Sequence, residues 1–72
     1  MITEHIGLKE ISGSLIALEG VEGVANEEVV RIYTASGEER VGRVVELAGD
    51  KAVVQVFEGT SGLSLKDTRL IF

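Results

Sequence analysis

The sequence predicts an all-β fold, a small closed six-stranded antiparallel barrel, from three observations. Hydrophobic residues make up 44% of the 72-residue chain and aromatics only 4%, so valine, isoleucine, leucine and alanine must fill the core. β-Branched residues favour strands, and the short apolar segments are separated by glycine-containing turns. An open sheet would expose two hydrogen-bonding edges, which closure into a barrel removes.

The first two predicted strands lie on either side of a glycine turn. Residues 5–12 alternate loosely between apolar and polar, and Gly13 permits a sharp change of direction. Residues 15–18 are all apolar, which predicts a second strand that is covered on both faces at one end. Small residues and glycines over 20–26 fit neither periodicity, so we expect a loop across the end of the barrel.

A hairpin is predicted to join the third and fourth strands. Residues 28–33 alternate, with Val30 and Ile32 on one face. Residues 35–38 form a short turn in which Gly37 supplies a positive φ, and residues 40–47 form the returning strand.

The inward face of the fourth predicted strand is ambiguous in the sequence. One phase holds three apolar residues, Val41, Val45 and Leu47. Gly42 interrupts the pattern and predicts a bend or bulge. Both faces are apolar at Val44-Val45 and again at Val53-Val54, so both phases remain possible at these points.

The stretch over residues 49–63 predicts a turn, a buried strand and a polar glycine loop. Gly49 and Asp50 supply the turn, and residues 51–57 supply the strand. Its apolar bulk comes from Val53, Val54, Val56 and Phe57. The spacing of Ser64 and Asp67 is that of a capping box, which predicts one helical turn near Leu65 before a last strand over residues 68–72.

Composition limits the class of protein. The net charge of -5, from 12 acidic and 7 basic residues, repels phosphate backbones and anionic membranes, and few aromatics are present to stack on bases. There is no cysteine for a disulfide or thiolate site, and no apolar run approaches the roughly 20 residues that cross a bilayer. We expect one soluble, cytoplasmic domain.

The glycine loop Gly59-Thr-Ser-Gly62 does not fit a nucleotide site. A Walker loop has four residues between its glycines and then a lysine, whereas two residues lie here and Leu63 takes the place of the lysine. Glu58 would repel a phosphate. A structural turn is the favoured interpretation.

No catalytic, cofactor-binding or metal-binding residue is predicted. His5 is the single histidine, and its acidic neighbours Glu4 and Glu10 are too generic to count as ligands, so we expect a surface histidine. Four charged residues could form an ion-pair ladder or meet a partner, although a solvated face is favoured: Glu38, Glu39, Arg40 and Arg43. No plausible nucleophile and base pair occurs.

Residues 51–63, Lys-Ala-Val-Val-Gln-Val-Phe-Glu-Gly-Thr-Ser-Gly-Leu, closely resemble a signature in the N-terminal domain of the B-type subunit of the archaeal and vacuolar type rotary ATPases. Residues 37–47 are similar to the glycine-led hairpin of that family, and residues 10–15 extend the similarity, with Ser14 where the family usually has proline. The catalytic A-type subunit typically has Val-Tyr-Glu-Glu-Thr-Ser-Gly, whereas Phe-Glu-Gly-Thr at residues 57–60 resembles the B version.

The resemblance implies that residues 1–72 are the N-terminal barrel, or crown, of a longer non-catalytic subunit. It implies an assembly role that holds the alternating A and B hexamer together, with catalytic A-type subunits as partners and a place in the peripheral head of a membrane-attached complex. ATP, ADP and magnesium are expected only in the central domain that follows. A free-standing small-barrel module that binds a ligand or nucleic acid is the alternative, and an enzyme in its own right is not expected.

Overall fold

The computed structural model describes residues 4–72, so the first three residues of the predicted domain lie outside the described residues. Within the described range the chain forms seven strands and no helix, in one antiparallel sheet. The strands are β1 (Glu4–Ile6), β2 (Glu10–Ser12), β3 (Leu15–Leu18), β4 (Val29–Tyr33), β5 (Glu39–Ala48), β6 (Lys51–Val56) and β7 (Arg69–Ile71). Their order across the sheet is β1-β7-β4-β5-β6-β3-β2. The all-β prediction is confirmed.

The prediction of a closed six-stranded barrel is wrong in two respects: the sheet has seven strands within residues 4–72, and it is open and curled rather than closed. The strand predicted over residues 5–12 is two short strands that bend apart at Gly7, where φ is 95°. The first of them, β1, pairs with β7, and the second, β2, pairs with β3. No ladder joins β1 to β2 in the described part of the chain.

The two ends of the sheet nevertheless come together, because residues 7–9 connect β1 directly to β2. The Gly7 amide donates to the Thr68 carbonyl at 2.8 Å, and the Leu8 amide to the Leu65 carbonyl at 2.7 Å. The next amide in the chain donates to a β3 carbonyl at 2.7 Å. These bonds hold residues 7–9 against β3 and the segment before β7, and we refer to residues 7–9 and their partners as the seam.

The turns follow the glycines as the sequence predicts. The Gly37 amide, at φ 94°, donates to the Thr34 carbonyl at 2.9 Å, which closes the hairpin between β4 and β5. Gly49, at φ 64°, begins the two-residue turn between β5 and β6. The prediction of a helical turn near Leu65 is replaced by a turn at residues 65–67 that is not part of a helix. The Asp67 amide does donate to the Ser64 hydroxyl at 3.1 Å, and β7 follows after Thr68.

The core lies on the concave face of the curled sheet and consists of aliphatic side chains. Val30 and Ile32 face it, as predicted, and Val21 covers it from the loop after β3. The buried hydrophobic residues are Ile16, Leu18, Val21, Val30, Ile32, Val44, Ala52, Val54, Val56 and Leu70. Four strands in the middle of the sheet contribute most of them, so the core is centred on β3 to β6.

The phase of β5, which the sequence leaves open at Val44-Val45, changes at a bulge. Val44 pairs with Val54 but Glu46 pairs with Val53, which leaves Val45 as the extra residue. Val44 is fully buried, whereas Val45 is 43% exposed. An extra residue in one strand reverses the inward face beyond it, so no single alternating pattern describes this strand.

Gly42 does not form the predicted bend but marks a close approach of two strands. A Cβ atom at this position would lie 2.6 Å from the Gln55 carbonyl oxygen and 2.9 Å from Val54 Cγ1. It would also lie 3.2 Å from Ile32 Cδ1. Glycine is required here because no space exists for a side chain, and the bulge lies three residues further on.

Candidate functional site

The glycine loop after β6 forms a corner that is fastened to the turn between β2 and β3. The Thr60 hydroxyl donates to the Gly13 carbonyl at 2.6 Å, and the Gly59 amide donates to the Val56 carbonyl at 3.1 Å. Gly59 and Gly62 have φ values of 85° and 86°, which are accessible to glycine. The Thr60 hydroxyl makes a hydrogen bond within the protein, which supports the interpretation of this loop as a structural turn.

The histidine and its acidic neighbours lie on short strands at the seam. His5 pairs with Leu70 across β1 and β7 and is half-buried, where the sequence predicts a surface position. Glu4 forms an ion pair with Arg69 at 3.4 Å, and Glu10 lies on β2. Residues 4–72 contain no group of three His, Cys, Asp or Glu side chains that could hold a metal ion.

Of the four charged residues for which the sequence favours a solvated face, Glu39 interacts with β4 across the hairpin. Its Oε2 atom lies 3.8 Å from Arg31 Nε and accepts a hydrogen bond from the Tyr33 hydroxyl at 3.3 Å. All of these groups are on the outer surface. Glu39 is therefore part of a solvated face that spans β4 and β5.

The outer face of the sheet carries an apolar surface around its middle strand. Val29, Val45 and Phe57 are 53%, 43% and 55% exposed, and we call these three residues the β5 patch. The Arg43 guanidinium carbon lies 5.8 Å from the centre of the Phe57 ring, within the range of a cation–π contact. Arg43, Val45 and Phe57 line one groove of about 520 Å³.

The β5 patch continues across the sheet along one row of outward-facing residues. Val29 pairs with Arg43, Arg43 with Gln55, and Gln55 with Leu15. Leu15, at the far end of this row on β3, is also exposed. Four neighbouring strands therefore present one surface in which polar centres are flanked by apolar residues.

A second apolar surface lies at the seam. Ile6 is 61% exposed and Leu65 is 49% exposed, and we call these two residues the seam patch. The segment that follows Ile6 is held to Leu65, because the Leu8 amide donates to the Leu65 carbonyl, and this oxygen lies 3.4 Å from where a Gly7 Cβ atom would be.

Sequence reasoning did not find either patch. Phe57 is predicted as bulk of a buried strand, but β6 ends one residue before it and its ring lies outside the core. The signal for the β5 patch was the pair Val44-Val45, where both phases are apolar and a bulge turns one valine outward. Nothing in the sequence pattern places residues 7 and 8 against Leu65.

Residues 8–69 match the family model described as the ATP synthase alpha/beta family, beta-barrel domain. The chain belongs to this family. All 72 residues align with the V-type ATP synthase beta chain 2 of Clostridium tetani (strain Massachusetts / E88) at 51% identity. The match confirms the resemblance to the N-terminal barrel of a V-type ATP synthase beta chain. The chain spans 16% of the length of that relative.

Residues 4–72 contain no helix with the length and apolar character needed to span a membrane.

Proposed function

We propose that this chain is the N-terminal assembly domain of the non-catalytic B-type subunit, or beta chain, of a V/A-type ATP synthase. It holds together the alternating hexamer of A-type and B-type subunits in a complex that couples ATP synthesis or hydrolysis to proton or sodium transport. The observation that carries the proposal is the 51% identity over the whole chain to a V-type ATP synthase beta chain. The rest of the beta chain then supplies the nucleotide-binding domain.

The side chains of the domain support a role in binding other subunits rather than in catalysis. The threonine hydroxyl of its glycine loop bonds to the Gly13 carbonyl, and Glu39 bonds to Arg31 and Tyr33. Large apolar side chains are left exposed on two parts of the surface. Exposed apolar surface commonly marks sites of association. In this proposal ATP, ADP and magnesium bind only in the central domain of the beta chain.

The proposed partners are the catalytic A-type subunits on either side of the beta chain. The proposed location is the peripheral head of a membrane-attached complex, on its cytoplasmic side and away from the bilayer. The net charge of -5 supports this arrangement, because it disfavours both nucleic acid and anionic membranes as partners.

Deletion of residues 1–72 from the full-length beta chain tests the assembly role. We expect the truncated beta chain, mixed with A-type subunits and measured by native mass spectrometry, to give few or no hexamers. Thermal unfolding of the truncated protein with and without ATP is the control that its remaining domains are folded. Hexamers formed in the same yield as with the intact beta chain would contradict the proposal.

Two measurements on the 72-residue chain test whether it hydrolyses ATP and whether it binds nucleic acid. A steady-state assay should show no ATP hydrolysis above buffer, and titration with a single-stranded oligonucleotide at low salt should show no binding. Turnover would contradict the non-catalytic role. Tight oligonucleotide binding would favour a free-standing binding module.

A further inference from the structure

Glu27, in the loop before β4, has a strained backbone. Within residues 4–72 it is the single residue other than glycine with a positive φ, 66°, and eight glycines hold the other positive values. This conformation is disfavoured for a residue with a Cβ atom. The Glu27 amide donates to the Val44 carbonyl at 2.7 Å, which fixes the strained position against β5. Strain of this kind clusters at functional sites, so the Glu27 side chain is a candidate contact.

Glu27 lies beside the β5 patch, together with an arginine. The groove of about 520 Å³ that Val45 and Phe57 line is also lined by Glu27 and Arg43. Both charged side chains are exposed, and neither makes an ion pair within the part of the chain that the structure describes. One surface therefore offers an unpaired charge of each sign and two exposed apolar side chains.

These charges make the groove complementary to itself. In a two-fold dimer the same surface of both copies meets, so a contact from one residue to another occurs twice, once in each direction. A two-fold axis that crosses the groove midway between Glu27 and Arg43 places the arginine of each copy opposite the glutamate of the other. Aromatic residues and arginine are enriched at the centres of protein interfaces, which fits Phe57 and Arg43 on this surface.

The net charge of -5 does not prevent such a contact. Repulsion between two copies is screened over about 8 Å at physiological ionic strength, whereas the paired charges of an interface act at contact distance. The local arrangement of charge in the groove therefore decides whether two copies associate.

We infer that the free chain forms a two-fold dimer with a second copy of itself through this groove. Arg43 of each copy pairs with Glu27 of the other, and Val45 and Phe57 are buried between the copies. The dimer goes beyond the proposed assembly function and does not depend on it, because it concerns the chain in the absence of A-type subunits.

Exchange of the two charges tests the inference. Arg43→Glu alone, or Glu27→Arg alone, places like charges opposite each other at both contacts of the dimer. In a mixed dimer of the two variants, both contacts again join opposite charges. The dissociation constant of the 72-residue chain, of each variant and of their equimolar mixture is measured by sedimentation equilibrium in about 0.15 M salt. Circular dichroism checks that each variant is folded.

We expect the original chain to form dimers between about 1 μM and 1 mM, and each variant alone to dimerise at least about tenfold more weakly. The mixture should regain the affinity of the original chain. A chain that stays monomeric over this range would overturn the inference. Variants that dimerise as well as the original chain would also overturn it, and so would a mixture that regains no affinity.

Lys66→Glu and Glu22→Arg are the matched controls for net charge. Both positions are exposed, lie outside the groove and make no ion pair within residues 4–72. They change the net charge of the chain by the same amounts as Arg43→Glu and Glu27→Arg, and we expect the dissociation constant to stay within about twofold of that of the original chain. Weakening equal to that of the groove variants would show that net charge, and not the groove, controls association, which would overturn the inference.

Discussion

The middle of the sheet and the seam are held by different kinds of interaction. β5 is ten residues long, pairs with a strand on each side and presents Val44 to the core. At the seam, the strands are three residues long, and residues 7–9 between β1 and β2 donate single amide bonds to β3 and to the segment before β7. The middle therefore depends on the close fit of side chains and backbone, whereas the seam depends on the correct placement of backbone hydrogen bonds.

This difference has a consequence for stability. A domain of this size is stable by only a few kcal/mol, on the scale of about 0.05 to 0.15 kcal/mol per residue. A substitution that disturbs packing in the middle of the sheet should therefore remove a large share of the free energy of unfolding. Loss of a single polar contact at the seam should consume less, and loss of a charge on its surface least.

Gly42→Ala should have the largest effect. The new Cβ atom would lie 2.6 Å from the Gln55 carbonyl oxygen, a backbone atom that cannot move without separating β5 from β6. We expect the free energy of unfolding of the 72-residue chain to fall by about 3 kcal/mol, at the upper end for overpacking. Urea unfolding followed by circular dichroism measures it.

Gly13→Ala is the control for this prediction. A Cβ atom at Gly13 meets nothing within 4 Å, but φ is 61°, so alanine there carries backbone strain alone. The expected cost is about 1 kcal/mol. Equal losses at Gly42 and Gly13 would show that the strand approach at Gly42 is not tight and that the middle of the sheet has no special requirement for fit.

Val44→Ala and Val45→Ala should differ sharply although the residues are adjacent and identical. Val44 is fully buried opposite Val54, so its truncation should cost about 2 kcal/mol from lost burial and a small cavity. Val45 lies outside on the bulge, and its truncation should cost less than about 0.5 kcal/mol. Thermal unfolding of both variants gives the comparison, and a reversed order would place the bulge elsewhere.

Alternation and turn chemistry in the sequence were sufficient for most of the strands. The strand at Leu15–Leu18 has the predicted bounds, and Gly37 and Gly49 lie in the turns that their positive φ allows. Val30 and Ile32 face the core because no irregularity interrupts the period of two in β4. Local rules succeed where each strand is regular and glycine turns mark its ends.

The rest depended on contacts between distant segments. The bend at Gly7 is fixed by hydrogen bonds to Thr68 and Leu65, which lie near the other end of the chain, so the local pattern predicted one strand instead of two. The position of the bulge was hidden because Val44 and Val45 are equally apolar. The two exposed patches follow from these same long-range features, and the sequence alone therefore predicted no interaction face.

Thr68→Val removes the side-chain hydrogen bonds of a residue at the seam, whose carbonyl accepts from the Gly7 amide, without changing the side-chain shape. The Thr68 hydroxyl is fully buried, donates to the Ser64 carbonyl at 2.7 Å and accepts from the Ser64 amide at 3.0 Å. Valine would leave both Ser64 groups without this partner, and we expect a loss of about 1.5 kcal/mol in urea unfolding. Thr60→Val, which removes an exposed hydroxyl bond to Gly13, should cost less. The opposite order would show that the glycine loop, and not the seam, limits stability.

Glu4→Gln should have the smallest effect, because its ion pair with Arg69 is half exposed to solvent at both ends. We expect the free energy of unfolding to change by no more than about 0.5 kcal/mol relative to Glu22→Gln. Glu22 is an exposed residue without an ion pair in residues 4–72, so its variant changes the net charge equally. The remaining difference should disappear in high salt, where exposed charges are screened. A difference above about 1 kcal/mol that survives high salt would mean that this ion pair, and not the backbone ladder alone, holds β1 to β7.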